Sequence, residues 1–357
     1  EKFFEDWTHD LKWGIHQARC VVGHNLKVAW NLTRMHSLNP KESYKTFAHQ
    51  IADAIPPAGC DNQRGGWYDM MERTLKDGEK HYRRVWHDRK AWWQQEQGIL
   101  AYYIMAGVYN DKPEYLRFAR EGSAFYNGWF LDYESGGIYF NVLANGQPYS
   151  LGSERGKGSH SMAGYHSFEL CFLAAIYSNL LVTKQPMDFF FRPDPQGWPD
   201  NKLRVAPDLL PAGSVELSDV WIDDKTYTDF DRKEMIVNLP DSDKPLRVRV
   251  RIEPAGMGFS ADLMSFENGI GKFALDGDLT RCKLPSFKKE LEKLTGLKGI
   301  VLDMTNLKTI DDTGWNYLLF TKQQRGASFS VQLSGLNSEI SQSLKDAELD
   351  EEFEVIG

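Results

Sequence analysis

The chain has 357 residues, with 50 acidic against 42 basic side chains and a net charge of −8. That length allows two or three domains with a sizeable core, and the acidic balance argues against general nucleic-acid binding, which needs a basic face. The nearest approach to a membrane span, Leu170–Val182, is short and broken by Tyr177, Ser178 and Asn179, so no membrane partner is expected.

The opening, Glu1-Lys2-Phe3-Phe4-Glu5-Asp6-Trp7, has neither a leader nor a helix cap, as if the chain entered in the middle of a domain. Leu26, Ala29, Trp30 and Met35 then recur at helical spacing and predict a helix over Asn25–Met35. Gly23 is read as the bend before it, which puts His24 at the helix N-terminus. An imidazole there feels the positive end of the helix dipole, which disfavours its charged form. A neutral imidazole suits a general base; the same position also suits a histidine that merely caps. Further helices are predicted over Lys41–Ile55, Ala91–Tyr109, Pro113–Phe130 and Ser161–Leu181. Pro56-Pro57 is expected to end the second, and Asn110-Asp111-Lys112-Pro113 to separate the third from the fourth. Short links between them imply antiparallel hairpins. Two hairpins are each followed by a glycine-aromatic loop, Gly65-Gly66-Trp67-Tyr68-Asp69 and Gly136-Gly137-Ile138-Tyr139-Phe140-Asn141, which makes an internal repeat. Stacked hairpins can form a solenoid or a closed toroid, and periodicity does not choose between them. The 11 Trp and 15 Tyr crowd into the first half, where such rings either fill a core or stack on sugars.

After Pro186 a proline-rich stretch runs to Pro211 and reads as an extended linker or a strap laid against a domain. Short strands are predicted at Val215–Leu217, Val220–Ile222, Met235–Leu239 and Leu246–Ile252, a small β-sandwich-like module. Arg247, Arg249 and Arg251 alternate with apolar residues and are read as a solvated face, with docking as the lesser alternative. From about residue 257, strand and helix alternate: strand Lys272–Leu275, helix Pro285–Leu294, strand Gly299–Met304, a helix after Gly314, strand Ser328–Leu333, a helix near Ser338–Lys345 and a last strand at Phe353–Ile356. This is a compact α/β pattern. The cysteines, Cys20, Cys60, Cys171 and Cys282, are far apart with no CxxC pair. Neither a zinc site nor a disulfide framework is suggested, and a reduced, cytoplasmic setting is expected.

Gly23-His24 with Ala29-Trp30, then Trp92-Trp93-Gln94-Gln95-Glu96-Gln97, then Tyr165-His166, with Gly-Gly loops between, resembles the N-acylglucosamine 2-epimerase / cellobiose 2-epimerase superfamily over residues 1–186. The resemblance implies part of an (α/α)6 barrel acting on an open-chain aldose or amino sugar without a cofactor or metal. It implies His24 and His166 as the proton-transfer pair, with Asn25, Trp30, Trp92, Trp93, Glu96, Gln97 and Tyr165 lining the sugar site. A proton next to a carbonyl is weakly acidic, so a positioned base must take it while a donor supports the enediolate oxygen. The sequence departs from that family in having Lys27 and Gln97 where glutamates are usual, and Ser161-Met162 before the second histidine. The first half of such a barrel has no counterpart here, so a second polypeptide completing it is a candidate partner.

The segments Leu275-Asp276-Gly277-Asp278-Leu279, Ile300–Met304, Ile310-Asp311-Asp312-Thr313-Gly314 and Val331–Gly335 resemble a STAS domain, the anti-sigma factor antagonist fold, over 257–357. The resemblance implies a protein partner of anti-sigma or kinase type and a phosphorylation switch at Thr313, flanked by Asp311 and Asp312. The expected architecture is therefore multidomain: an all-α (α/α)6-barrel portion at 1–186, a small β-sandwich-like connector at 187–256 and an α/β STAS domain at 257–357. The expected function is a sugar 2-epimerase or isomerase coupled to a regulatory module. The alternative is a sugar-sensing or scaffold barrel within a signalling protein.

Overall fold

A computed structural model describes residues 19–85, 88–152, 154–157, 162–197, 200–256, 258–280, 283–326 and 328–356. The chain divides into two compact units, Glu1–Ile252 and Glu253–Gly357.

In the first unit, β1 (Arg19–Val21) leads into α1 (Val22–Leu38), and α2 (Glu42–Gly59) folds back on it. After β2 (Met70–Glu72) and β3 (Arg89–Ala91) come α3 (Trp92–Tyr109), α4 (Pro113–Trp129), β4 (Asn141–Leu143) and α5 (Tyr165–Ile176). α3 packs against α1, α4 and α5. The predicted helix over Ser161–Leu181 is shorter as an α-helix, passing into a π-helical turn over Tyr177–Val182; Ser161 lies outside the described residues. Two corrections concern helix ends. Pro56 and Pro57 do not stop α2, which runs on to Gly59. Proline removes the N–H that would bond the carbonyl four residues back, and for Pro56 that carbonyl is Ala52 O, which instead accepts from the Tyr102 hydroxyl at 2.8 Å. Gly23 is no bend before α1 but lies inside its first turn. A Cβ there would come within 2.8 Å of Gln94 Cγ, so glycine is what lets α1 approach α3.

The two glycine loops are copies of one device. β1 pairs antiparallel with β2, and β3 with β4. Asp61 Oδ1 accepts from Gln63 N and Arg64 N, as Asp132 Oδ1 does from Glu134 N and Ser135 N. Lys90 Nζ bonds Asp61 Oδ2 at 2.8 Å and Gly65 O at 2.7 Å; Lys157 Nζ bonds Asp132 Oδ2 at 2.6 Å and Gly136 O at 2.8 Å. All four loop glycines have positive φ (80°, 78°, 71° and 86°), a conformation side chains resist. Each loop hands the chain to a strand that supports the start of an inner helix: Asp69 O accepts from Val22 N, and Phe140 O from Trp92 N.

The proline-rich stretch is a strap containing two strands that sequence reading left extended but unpaired. β5 (Met187–Phe191) pairs with β11 (Val248–Pro254) in the sheet β5-β11-β7-β8, with β7 at Val215–Ile222 and β8 at Lys225–Tyr227. β6 (Lys202–Arg204) joins β10 (Ile236–Asn238) and β9 (Phe230–Asp231). These strands share one buried core with the helices. Asp208 fastens the strap, accepting from Arg34 Nε at 2.9 Å and from the Tyr177 hydroxyl at 2.8 Å. The arginine stripe is engaged within its own sheet: Arg251 pairs with Asp188, Arg247 with Asp224, and Arg249 sits 3.9 Å over the Trp221 ring.

The second unit is a five-stranded mixed sheet, β12-β13-β14-β15-β16 (Phe259–Glu267, Ile270–Leu279, Gly299–Ile310, Ser330–Ser334, Glu354–Val355). β12 and β13 are antiparallel and the remaining pairs parallel. Its helices are α6 (Leu284–Glu292), α7 (Asp312–Gln324) and α8 (Ser338–Asp346). Phe287, Leu291, Trp315, Leu318, Ile340 and Leu344 pack from the helices onto Phe273, Ile300, Leu302, Val331 and Leu333. Strand β12 was not foreseen, because most of its residues face solvent and give no apolar alternation. Among the described residues, no helix is long and apolar enough to cross a membrane.

The Lys90 and Asp61 side chains are 0% and 3% exposed, against 32% and 14% for Lys157 and Asp132. Removing one partner of a buried pair strands the other charge. Lys90→Met is therefore expected to destabilise the protein by about 3–5 kcal/mol in urea unfolding, and Lys157→Met far less. Equal losses would contradict the assignment of the deeper loop as the stronger constraint.

Candidate functional site

The first turns of α1, α3 and α5 open onto one cavity of about 330 Å³. α1 contributes His24 and Lys27, α3 contributes Trp92 and Trp93, and α5 contributes Tyr165 and His166. The strands and loops that launch these helices add Asp69, Arg89, Ala91, Phe140, Asn141 and Glu154. His24 and His166, far apart in sequence, thus line the same cavity. The Trp93 ring lies 4.9 Å from the His24 ring and 6.0 Å from the His166 ring. Tyr165 stacks on His166 at 4.0 Å, and Trp92 meets His166 edge-on at 5.8 Å.

Four residues expected to touch a sugar stand outside the lining. Asn25 turns back, its Nδ2 donating to Val21 O at 2.9 Å. Trp30, Glu96 and Gln97 are buried behind the wall, where a sugar hydroxyl does not reach. Trp30 Nε1 donates to Gln97 Oε1 at 2.9 Å, and Gln97 Nε2 lies 3.3 Å from His166 Nδ1 and 3.3 Å from Glu169 Oε2. Glu96 Oε1 accepts from the Tyr126 and Ser167 hydroxyls, both at 2.8 Å. Of these side chains Gln97 bonds His166 directly, and Trp30 acts on it through Gln97.

Asp69, Arg89, Asn141 and Glu154 were missed. Arg89 Nε donates to Asp69 Oδ2 at 2.5 Å and its Nη1 to Glu154 Oε2 at 3.0 Å. Asp69 also takes a bond from Gln94 Nε2, and Gln94 Oε1 accepts from Gly23 N at 2.6 Å. Asp69 closes the first glycine-aromatic loop and Asn141 opens β4 after the second, so the available signal was a polar residue at each loop-to-strand junction, although the two positions are not equivalent in the repeat. Arg89 and Glu154 carry no local signal of their own.

Burial lowers the His166 pKa, the Lys27 ammonium and His24 lower it further, and Glu169 pulls weakly the other way. The imidazole is thereby kept neutral at neutral pH. The Glu96 carboxyl is pushed up to about 7 by burial, against the hydrogen bonds from Tyr126 and Ser167 and with some help from Glu169. Glu96 Oε2 stands 3.8 Å from His166 Nδ1. With the carboxyl pushed up to about 7 and the imidazole pushed down, this contact joins two neutral groups below the Glu96 midpoint and a carboxylate to a neutral imidazole above it. Among the described residues, no cluster of three or more His, Cys, Asp or Glu side chains is placed to hold a metal ion.

The folded protein keeps the Glu96 proton between its ordinary value of 4.5 and about 7, while the unfolded chain has released it. This group's contribution to stability therefore falls as pH rises through that window. Glu96→Gln keeps an acceptor for Tyr126 and Ser167 and is expected to remove that fall, a relative gain of about 3 kcal/mol above the window. His166 has an opposite slope and touches Glu96, so its midpoint is followed by proton NMR in both proteins and its contribution subtracted. Urea unfolding at pH values below and above the window checks this, and a pH dependence unchanged by the substitution contradicts it.

No protein-family model matches the chain, and no curated protein matches it. Solved structures resemble parts of it. A D-mannose isomerase is similar at 17% identity and a TM-score of 0.37, over 44% of this chain and 38% of that one. Cellobiose 2-epimerase from Bacillus thermoamylovorans B4167 is similar at 19% identity and a TM-score of 0.37, over 45% and 38%. An anti-sigma factor antagonist from Mycobacterium paratuberculosis is similar at 15% identity and a TM-score of 0.24, over 28% and 87%. The chain spans 38% of the length of that isomerase and of that epimerase, and each likeness is partial and of low identity.

Proposed function

We propose that the first unit binds an open-chain aldose or amino sugar in this cavity and moves the proton at C2, as a sugar epimerase or isomerase does. The observation that carries the reading is that His24 and His166 line one cavity with the Trp93 ring between them. One imidazole would take the C2 proton, and the other would act from the opposite side of the carbonyl. Trp93 and Tyr165 offer faces for the carbon skeleton. Lys27, in the same wall, adds positive charge where the enediolate oxygen develops. Asp69, Asn141 and Glu154 are placed to hold hydroxyls.

Lys27 also favours a second reading, a barrel that senses a sugar without turning it over. It occupies the position one helix turn after His24 where the family resembled in sequence carries a glutamate, and a lysine cannot accept a bond from an imidazole. Incubating the protein with aldoses in deuterated water separates the two. Deuterium is expected at C2 of an aldose product or of recovered aldose, or at C1 of a ketose product, with loss of at least a hundredfold in His24→Ala and in His166→Ala. Binding without exchange supports sensing and contradicts catalysis.

For the second unit we propose a regulatory, partner-binding role switched at Thr313. Thr313 is exposed in the first turn of α7, beside exposed Asp312. Asp311 caps the helix, accepting from Gly314 N at 2.7 Å. A phosphate there would gain from the helix dipole and add about two negative charges beside two aspartates, repelling an acidic partner. Mass spectrometry after incubation with a kinase-competent lysate is expected to find phosphate on Thr313. An unmodified Thr313 under conditions that engage the partner would sink the switch.

A further inference from the structure

A neutral imidazole carries one hydrogen, and the partner of one nitrogen decides which nitrogen holds it. At His166 that partner is Gln97, whose Nε2 lies 3.3 Å from Nδ1. The Gln97 amide has only one workable orientation. Its Oε1 faces the Trp30 indole N–H at 2.9 Å, a group that only donates. Its Nε2 faces a Glu169 carboxylate oxygen at 3.3 Å, which accepts. Both neighbours turn the amide nitrogen towards His166, and an amide nitrogen only donates. The other group facing Nδ1 is Glu96 Oε2, 3.8 Å away; while that carboxyl keeps its proton it offers Nδ1 no acceptor, so Nδ1 accepts and the ring hydrogen falls to Nε2 on a ring that lines the cavity.

We propose that Gln97, oriented by Trp30, is a positioning residue that fixes His166 as an Nε2–H donor, and that the site consequently runs aldose–ketose isomerisation rather than inversion at C2. The reaction assignment rests on the proton-transfer reading above; the tautomer does not. Inversion needs a proton-transfer group on each face of C2. A ring whose cavity nitrogen already carries hydrogen cannot take a proton there, but it can hold the carbonyl oxygen by a hydrogen bond. Of the two imidazoles, His24 is then the base. It takes the C2 proton, the C–H electron pair becomes the C1=C2 bond, and the carbonyl π pair moves onto O1, held by His166 Nε2–H. The O2 hydroxyl proton passes to O1, and protonated His24 returns its proton to C1 as the C2=O2 bond forms. Aldose and ketose have the same composition, so no oxidant or reductant is involved.

Imidazole nitrogen-15 NMR of the full chain reads the tautomer, with the His166 signals identified by their loss in His166→Gln. The wild type is expected to show hydrogen on Nε2 and none on Nδ1 between the His166 midpoint and the Glu96 midpoint of about 7. Gln97→Glu puts an acceptor beside Nδ1 and is expected to move the hydrogen there and raise the His166 midpoint by about 1–3 pH units. Trp30→Phe frees the amide to turn over and is expected to give a mixture of tautomers. A wild-type Nδ1–H, or a tautomer indifferent to both substitutions, overturns the proposal. Proton NMR of aldoses incubated with the wild type reads the product, expected to be the ketose. A C2 epimer formed by Nε2–H protein overturns the reaction assignment and leaves proton transfer at C2 standing. Turnover of no aldose removes that functional reading and the reaction assignment with it, while the nitrogen spectra still decide the role of Gln97.

Discussion

Two buried glutamines on α3 hold the first unit's site together. Gln94 Oε1 takes the backbone N–H of Gly23, and Gln97 Oε1 takes the indole N–H of Trp30, so successive turns of α3 bind α1 at two points about two turns apart. Each amide then passes its nitrogen to the site: Gln94 to Asp69, and Gln97 to His166 and Glu169. Both side chains are 0% exposed. A buried amide left unpaired costs about 1–3 kcal/mol, so the packing of α1 and the orientation of the cavity wall are decided together. Between the two, Gln95 closes the loop side, accepting from Trp67 N and donating to Trp67 O, both at 2.7 Å.

That clamp explains why the chemistry collects at the helix starts. Short strand pairs deliver α1 and α3 at a common level, and α5 packs beside α3. Helix first turns carry unpaired backbone N–H groups and the positive end of the dipole, a setting that favours developing negative charge and disfavours imidazolium. Burial and the Lys27 charge push His166 the same way. The salt-bridged Asp69–Arg89–Glu154 row supplies fixed polar groups along the cavity without leaving a buried charge alone.

Much of this was legible in the sequence, for reasons that differ from element to element. α1 to α4 declare themselves by apolar spacing, and the glycine-aromatic loops declare the repeat. The two histidines line one cavity because helix starts come together there, which periodicity alone does not reveal; a family resemblance pointed to them. Pro56 misled because the donor that replaces its missing bond, Tyr102, is 46 residues away (102 − 56 = 46) on another helix. Glu96 and Gln97 were expected at the sugar on the strength of the family resemblance alone; their burial on α3 depends on packing against α1, α4 and α5, which no local pattern shows. The strap strands were hidden by proline and by pairing with distant partners: Met187 faces Ile252 across the sheet.

The central claim is that the cavity between His24 and His166 receives the reacting end of an open-chain sugar. A crystal structure with a linear sugar alcohol, which has the skeleton of the open-chain form and cannot react, tests it most directly. The account predicts the alcohol's first two carbons between the two imidazoles, against the Trp93 face, with its hydroxyls on Asp69, Asn141 or Glu154. A polyol bound elsewhere on the unit, or none in the cavity at saturating concentration, would contradict it.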